Sequence, residues 1–449
     1  GPKRFLVASA ACVLTACSAT HYFVNPRLEA PKDGSAYAMR NFKPQGNSDS
    51  LLVLVGIPGG GYRAAALGFG VLSALRDTPI EWEGRNSTML GEVDFITGVS
   101  GGSLITAHYM AFGDETFTRF ENDVLRFDLQ RELLSRALSP RGLWRQTSDR
   151  FGRGDILAEL LEENIFKGKT FKDVPRHRPM GIINATDLQF GGRFEFSQDQ
   201  FDYLCADLDA VPLSRAVAAS MAVPLIFTPV TLWNYSSECP SAGHPLELKS
   251  RAGQSRYIHL LDGGLADNSG VQTPLELVTV RGGIIESARA AGLSGIKKRV
   301  FIVVNAQATT TFDEDYLADT PSLWRQFRAV IDVPIDRYSA ASVEMLKQEV
   351  MHWRADLQAA SEAQLGGTIS RDTDFFVIEV SLLAPPEGVD VSGLGGIATS
   401  LRLSEREVQG LQRYARQALE GHPEWKRLMN LVRARGAPST PEPAARGPN

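Results

Sequence analysis

Val93-Asp94-Phe95-Ile96-Thr97-Gly98-Val99-Ser100-Gly101-Gly102-Ser103 is the stretch on which the fold turns. It begins as an apolar run of strand length and closes in Gly-x-Ser-x-Gly. Leu104-Ile105-Thr106-Ala107-His108-Tyr109-Met110-Ala111 follows and reads as a helix packed on its apolar side. Strand, tight turn and helix are the surroundings a nucleophile elbow needs, with Ser100 on the turn and its hydroxyl pushed outward. Gly98 and Gly102 suit that turn because a side chain at either position would strike neighbouring backbone. Alone the pattern is weak, since glycine and serine also fill ordinary loops.

Two further stretches strengthen it. Upstream, the continuous apolar run Leu51-Leu52-Val53-Leu54-Val55 has the pattern of a strand covered on both faces. It feeds Gly59-Gly60-Gly61-Tyr62-Arg63-Ala64 and then a helix rich in small residues. Such a glycine turn presents backbone N–H groups at a helix N-terminus, which suits an anion. The Gly-Lys-Ser/Thr ending of a phosphate-binding P-loop is missing, and a dinucleotide fingerprint would need an acidic residue closing the next strand. An oxyanion hole needs only the N–H groups. Downstream, Tyr257-Ile258-His259-Leu260-Leu261-Asp262-Gly263-Gly264 delivers an aspartate at a strand end, although Asp-Gly is also a common turn pair. Ser220, in Ala219-Ser220-Met221-Ala222-Val223-Pro224, lacks an elbow and reads as helix packing.

The remaining chain supplies more strands, at 180–187, 193–197, 299–305 and 375–380, and helical patterning over 114–168, 322–364 and 404–419. Residues 114–168, with Trp144 and nearby arginines, read either as a lipid-facing cap or as a solvated helical insertion. The expected fold class is α/β, a three-layer α/β/α sandwich with a mostly parallel central sheet and helical insertions. The expected layout is a cleavage scar and signal peptide over 1–16, a tether and lead-in over 17–50, and a catalytic domain over 51–310. A C-terminal helical extension over 311–435 packs on the same domain, and a disordered tail covers 436–449. The formal net charge of −5 over 449 residues argues against nucleic acid as a partner.

At the N-terminus, Gly1-Pro2 looks like a protease scar, and Lys3-Arg4 before an apolar run has the order of a secretory signal. Leu14-Thr15-Ala16-Cys17 resembles the lipobox of bacterial lipoproteins, which implies acylation of Cys17 and a membrane hold through the lipidated N-terminus. Ser18 after the cysteine implies the outer membrane. Cys205 and Cys239 remain in the mature chain, either bridged or as two free thiols.

Gly59-Gly60-Gly61-Tyr62-Arg63-Ala64, Gly98-Val99-Ser100-Gly101-Gly102 and Asp262-Gly263-Gly264, in this order, resemble the patatin-like phospholipases of the bacterial, lipoprotein type. The Arg63-Ala64 ending is similar to the related cytosolic group IV phospholipases. The likeness covers residues 51–270 well and the C-terminal third loosely. It implies a serine lipid acyl hydrolase, of phospholipase A or lysophospholipase type, acting on phospholipid or another lipid ester. It further implies Ser100 as nucleophile, Asp262 as its one side-chain partner, and N–H groups of Gly59, Gly60, Gly61 and Gly101 as the oxyanion hole. Arg63 matches a family arginine that either meets a lipid phosphate or packs the loop. No calcium or other cofactor is implied, and no metal-ligand spacing is present. The rival schemes are a Ser-Asp-His carboxylesterase, with His352 or His422 after the acid in chain order, an acyltransferase, and a non-catalytic lipid-binding lipoprotein. His108 and His259 lie in segments that read as buried packing.

Overall fold

A computed structural model describes residues 23–30, 32, 34–238, 255–290, 292–307, 318 and 320–432. The expectations for the signal segment, Cys17, Cys239 and the tail lie outside the described residues. Among the described residues ten strands are present: β1 Leu51–Ile57, β2 Pro79–Trp82, β3 Arg85–Thr88, β4 Val93–Val99, β5 Met180–Asp187, β6 Arg193–Glu195, β7 Val230–Trp233, β8 Tyr257–Asp262, β9 Ile296–Asn305 and β10 Ile369–Ser381. Eight of them form one sheet in the order β10-β9-β1-β4-β5-β8-β7, with β6 also paired to β5. The run from β10 to β5 is parallel, while β6, β7 and β8 pair antiparallel. The fold is therefore α/β with a mostly parallel central sheet flanked by helices.

All seven residues of β1 are buried, as expected of a central strand with both faces covered. Successive side chains then divide between two cores. Val53, Val55, Ile57, Val300, Ile302 and Ile378 pack against α1 (Gly61–Arg76), α2 (Gly101–Phe112) and the later α8 (Glu405–Gly421) and α9 (Pro423–Val432). Leu54, Phe301, Val303 and Phe375 face the other way, toward α6 (Gln272–Val280) and the long α7 (Leu323–Ala359). Beside the elbow lie α3 (Leu129–Leu138), α4 (Arg153–Leu161) and α5 (Leu213–Ser220).

The sheet continues past residue 310. Residues 369–381, inside the presumed helical extension, form β10 and extend the parallel run beyond β9. The reason is visible in the sequence: Phe375, Phe376, Ile378 and Val380 are all buried, a density of apolar positions that suits a strand covered on both faces. The start of α8 follows expectation. Ser404 Oγ accepts a hydrogen bond from the Glu407 N–H, and the Ser404 N–H donates to the Glu407 carboxylate at 2.7 Å, a capping box. Among the described residues no helix is long and apolar enough to cross a membrane.

Candidate active site

The site is assembled from the register of three neighbouring strands. Val99 of β4 pairs with Asn184 of β5, and Ala185 pairs with Asp262 of β8. Ser100, one residue past Val99, is thus level with the aspartate two strands away. Because β8 runs antiparallel and overlaps only the last three residues of β5, it reaches the site from beyond the strand ends. Ser100 Oγ donates to Asp262 Oδ2 at 2.6 Å, and both residues are buried.

Ser100 has φ 48° and ψ −119°, a backbone conformation that side chains rarely adopt. Its N–H donates to Ser220 Oγ at 2.7 Å, and that hydroxyl donates on to the Asn184 carbonyl at 2.6 Å. The residues at the end of α5 also hold the acid: the Asp262 N–H donates to Ala222 O and the Gly263 N–H to Ser220 O. Ser220, read from the sequence as packing alone, therefore braces both partners. Nothing in its local sequence signals this, because the brace depends on where α5 ends against β5.

The glycine turn lies directly against the elbow. A Cβ on Gly101 would overlap the Gly61 carbonyl, and one on Gly59 would come 3.2 Å from Ser100 Cβ. Gly60 and Gly61 have φ of 132° and 60°, which favours glycine at both. Among the described residues the N–H groups of Gly60, Gly61 and Gly101 donate to no acceptor, whereas the Gly102 N–H is taken by Pro58 O. Gly59 departs from expectation: its N–H is committed to Asn268, through Oδ1 at 3.0 Å and the carbonyl at 3.3 Å. Asn268 holds the loop rather than leaving Gly59 free for a ligand.

Burial pushes the Asp262 carboxyl up to about 6, against the opposing pull of the Ser100 hydroxyl and of the Gly264 N–H, which donates to Oδ1 at 2.9 Å. An acid so placed is a better base than one in water.

Residues 57–275 match the family model described as patatin-like phospholipase. The chain carries a patatin-like phospholipase domain. No curated protein matches it. Among solved structures it is similar to human GIVD cytosolic phospholipase A2, at 11% identity and a TM-score of 0.44 over 85% of this chain and 60% of that one. The same enzyme in complex with methyl gamma-linolenyl fluorophosphonate gives 12% and 0.42, over 85% and 59%. VipD from Legionella pneumophila gives 13% and 0.33, over 85% and 67%. The chain thus spans about 60% of the length of the first of these.

Arg63, in the first turn of α1 of the patatin-like domain, is turned inward. Its Nε donates to Ala306 O at 2.7 Å, Nη1 to Ile397 O and Nη2 to Thr399 Oγ1 at 3.3 Å. These contacts fit the arginine that packs the loop. The Tyr62 N–H donates to Ser400 O at 2.9 Å, so residues 397–401 lie across the glycine turn, a contact with no signal in the sequence.

A cavity of about 510 Å³ opens beside Ser100 and Gly61. Its walls are mainly hydrocarbon, from Leu133, Leu134 and Ala137 of α3, Ile156 of α4, and Met221, Val223, Leu225, Ile226 and Phe227 after α5. Apolar side chains stand out into solvent at this mouth: Leu134 is 56% exposed and Leu225 60%, and Leu138, one turn beyond Leu134 on α3, is 68% exposed.

No histidine among the described residues hydrogen-bonds to Ser100 or Asp262. His108 is fully buried, with Nδ1 on Thr116 Oγ1 at 3.0 Å, and His259 Nδ1 meets Thr231 Oγ1 at 2.9 Å. His352 stands in solvent near Glu349, and His422 accepts from the Glu424 N–H. Cys205 is disulfide-bonded.

Proposed function

We propose that the protein hydrolyses acyl esters of lipids, as a phospholipase A or lysophospholipase, with Ser100 as nucleophile and Asp262 as its only side-chain partner. One observation carries this reading: the 2.6 Å bond from Ser100 Oγ to a buried carboxylate, with no histidine among the described residues beside it. A serine hydroxyl scarcely ionises at neutral pH, so a base must take its proton during attack. Asp262 is that base. The proton moves from Oγ to Oδ2 as Oγ bonds to the ester carbon, and the carbonyl oxygen becomes an oxyanion. The free N–H groups of Gly60, Gly61 and Gly101 stabilise it, at roughly 3–4 kcal/mol per well-placed donor in other hydrolases. Collapse expels the alcohol, which takes its proton from Asp262. Water then attacks the acyl-serine by the same route, releasing the fatty acid and restoring Ser100. The apolar cavity receives the acyl chain, which supports a lipid rather than a small polar ester.

Incubation with mixed phospholipids, lysophospholipids and neutral esters, read by mass spectrometry, should show fatty acid release that survives excess EGTA. Ser100→Ala and Asp262→Asn should each abolish it while circular dichroism stays unchanged. A fluorophosphonate probe should label the native protein and not Ser100→Ala. Full turnover by either variant, or loss on replacing His352 or His422, would refute the dyad.

The membrane hold belongs to this proposal as well. Acylation at Cys17 would keep the protein on the outer membrane, close to its substrate. Cys17→Ser should lose palmitate labelling and leave the membrane fraction, and retention there would exclude the anchor.

A further inference from the structure

The sheet has a second cavity, on the face away from α1 and α2 and toward the opposite end of the strands from Ser100. Leu52 and Leu54 of β1, Phe95 of β4 and Arg299 and Phe301 of β9 form its floor, and Leu293 helps to close it from above. Leu52 pairs with Arg299 and Leu54 with both Phe301 and Phe95, so these side chains share one face. Phe95 lies five residues before Ser100, roughly 16 Å down the strand direction. The cavity holds about 320 Å³, within the range of roughly 300–1,000 Å³ that small-molecule sites occupy.

Its notable member is Arg299. The residue is 8% exposed, and its Nε and Nη1 have no hydrogen-bond partner among the described residues. The guanidinium sits 5.7 Å from the ring centres of Phe301 and Trp353, and Trp353 Nε1 is also buried without a partner. Burial lowers the guanidinium to about 10, which still leaves it charged at neutral pH. The other cations of the cavity are differently placed. Arg178 is paired with Asp49 and Asp94, Arg40 with Asp199, and Lys43 is exposed to solvent. A buried charge is normally matched by a counter-ion, and among the described residues Arg299 has none, the carboxylate in the cavity lining, Asp49, being paired with Arg178.

We propose that this cavity is a second, non-catalytic ligand site for an amphiphilic carboxylate, a medium-chain fatty acid, whose head pairs with Arg299 and whose tail lies along Leu52, Leu54 and Phe95. A carboxylate matches a guanidinium in a two-point, charge-assisted pair and supplies one negative charge for one unmatched positive charge. The apolar floor selects for a tail. The assignment does not depend on the Ser100–Asp262 chemistry, because occupancy involves no turnover.

The test is titration calorimetry and thermal melting with decanoate, below its micelle-forming concentration, on the full chain carrying Ser100→Ala. The expected result is saturable decanoate binding, separate from any in the acyl cavity beside position 100, with a rise in melting temperature. Acetate, a head without a tail, and decanol, a tail without a head, should each give no shift at the same concentration. Arg299→Met should weaken decanoate binding at least tenfold and, without ligand, melt no lower than its parent, since it removes an unmatched buried charge. Leu134→Ser, at the mouth of the other cavity, should leave binding unchanged. Should Arg299→Met fail to fold, Leu293→Trp, which fills the space from its partly exposed rim, must abolish binding. No decanoate binding, binding undiminished by both Arg299→Met and Leu293→Trp, or acetate binding as tightly as decanoate, would each overturn the site.

Discussion

Ser100 and Asp262 are both held in states that water would not favour. The serine's backbone conformation costs about 1–3 kcal/mol, and the Ser220 hydroxyl that receives its N–H helps to maintain it. Ser220→Ala would leave a buried N–H and the Asn184 carbonyl unpaired. It should lower kcat about tenfold or more on a soluble ester, with little change in KM, as measured by steady-state kinetics. The Asp262 carboxyl, raised to about 6 by burial, makes two predictions of definite sign. As the proposed base it would work ionised, so kcat/KM should rise with pH through about 6 and then level. Its folded value lies above its unfolded one, so its contribution to stability is present at low pH and lost as pH rises through about 6. Asp262→Asn should therefore gain in melting temperature relative to the native protein between pH 4 and pH 8, by the equivalent of on the order of 2–3 kcal/mol. A pH-independent difference would count against a raised carboxyl. The sequence displayed both partners, because an elbow and a strand-end Asp-Gly are local patterns. It did not display Ser220 or Asn268, whose roles arise from contacts between distant segments, nor the commitment of the Gly59 N–H.

Helices α3 and α4 and the turn after α5 decide what reaches the site. Leu134 and Leu138 project from α3 into solvent, and Leu225 does so from a backbone of positive φ, 63°, with its carbonyl held by Arg153 Nη2 at 2.7 Å. A strained, exposed leucine at the rim of an apolar cavity is better placed against lipid than in water. Six arginines lie between residues 129 and 153, and although Arg136 and Arg145 pair with Glu163 and Glu159, the stretch keeps a positive balance that favours an anionic surface. Leu134→Ser with Leu138→Ser should reduce turnover of anionic vesicles several-fold and leave a soluble short-chain ester untouched, and equal loss on both substrates would disprove a lipid-facing rim. Amphipathic spacing in 114–168 favoured a solvated insertion over a cap without excluding either. Spacing reports that a face is apolar, and only tertiary structure reports which face lacks a partner.

Across the molecule, the C-terminal third belongs to the candidate site's support. Arg63 links α1 to Ala306 and Ile397, and Ser400 receives the Tyr62 N–H over the glycine turn. Arg63→Met should cost about 2–3 kcal/mol in urea unfolding, since charged hydrogen bonds to buried carbonyls are lost. A fragment ending at residue 275, where the family match ends, would lack β9 and β10 and should give neither soluble protein nor activity. The layered class and the parallel core were legible from apolar runs at β1, β4, β5 and β9. Strands β2, β3 and β7 were not, being four residues each, too short for a periodic signal.

The position of β1 between β4 and β9 bears on how the polypeptide is made. Leu51 finds its partner Lys298 only after most of the chain has left the ribosome. Until then, an entirely apolar central strand has one bare edge, the kind of template on which nascent chains stick to one another. Contacts this distant in sequence also slow folding. Holdase chaperones that bind extended apolar segments should therefore raise the soluble yield in the cell, most of all by shielding β1 until synthesis has passed β9.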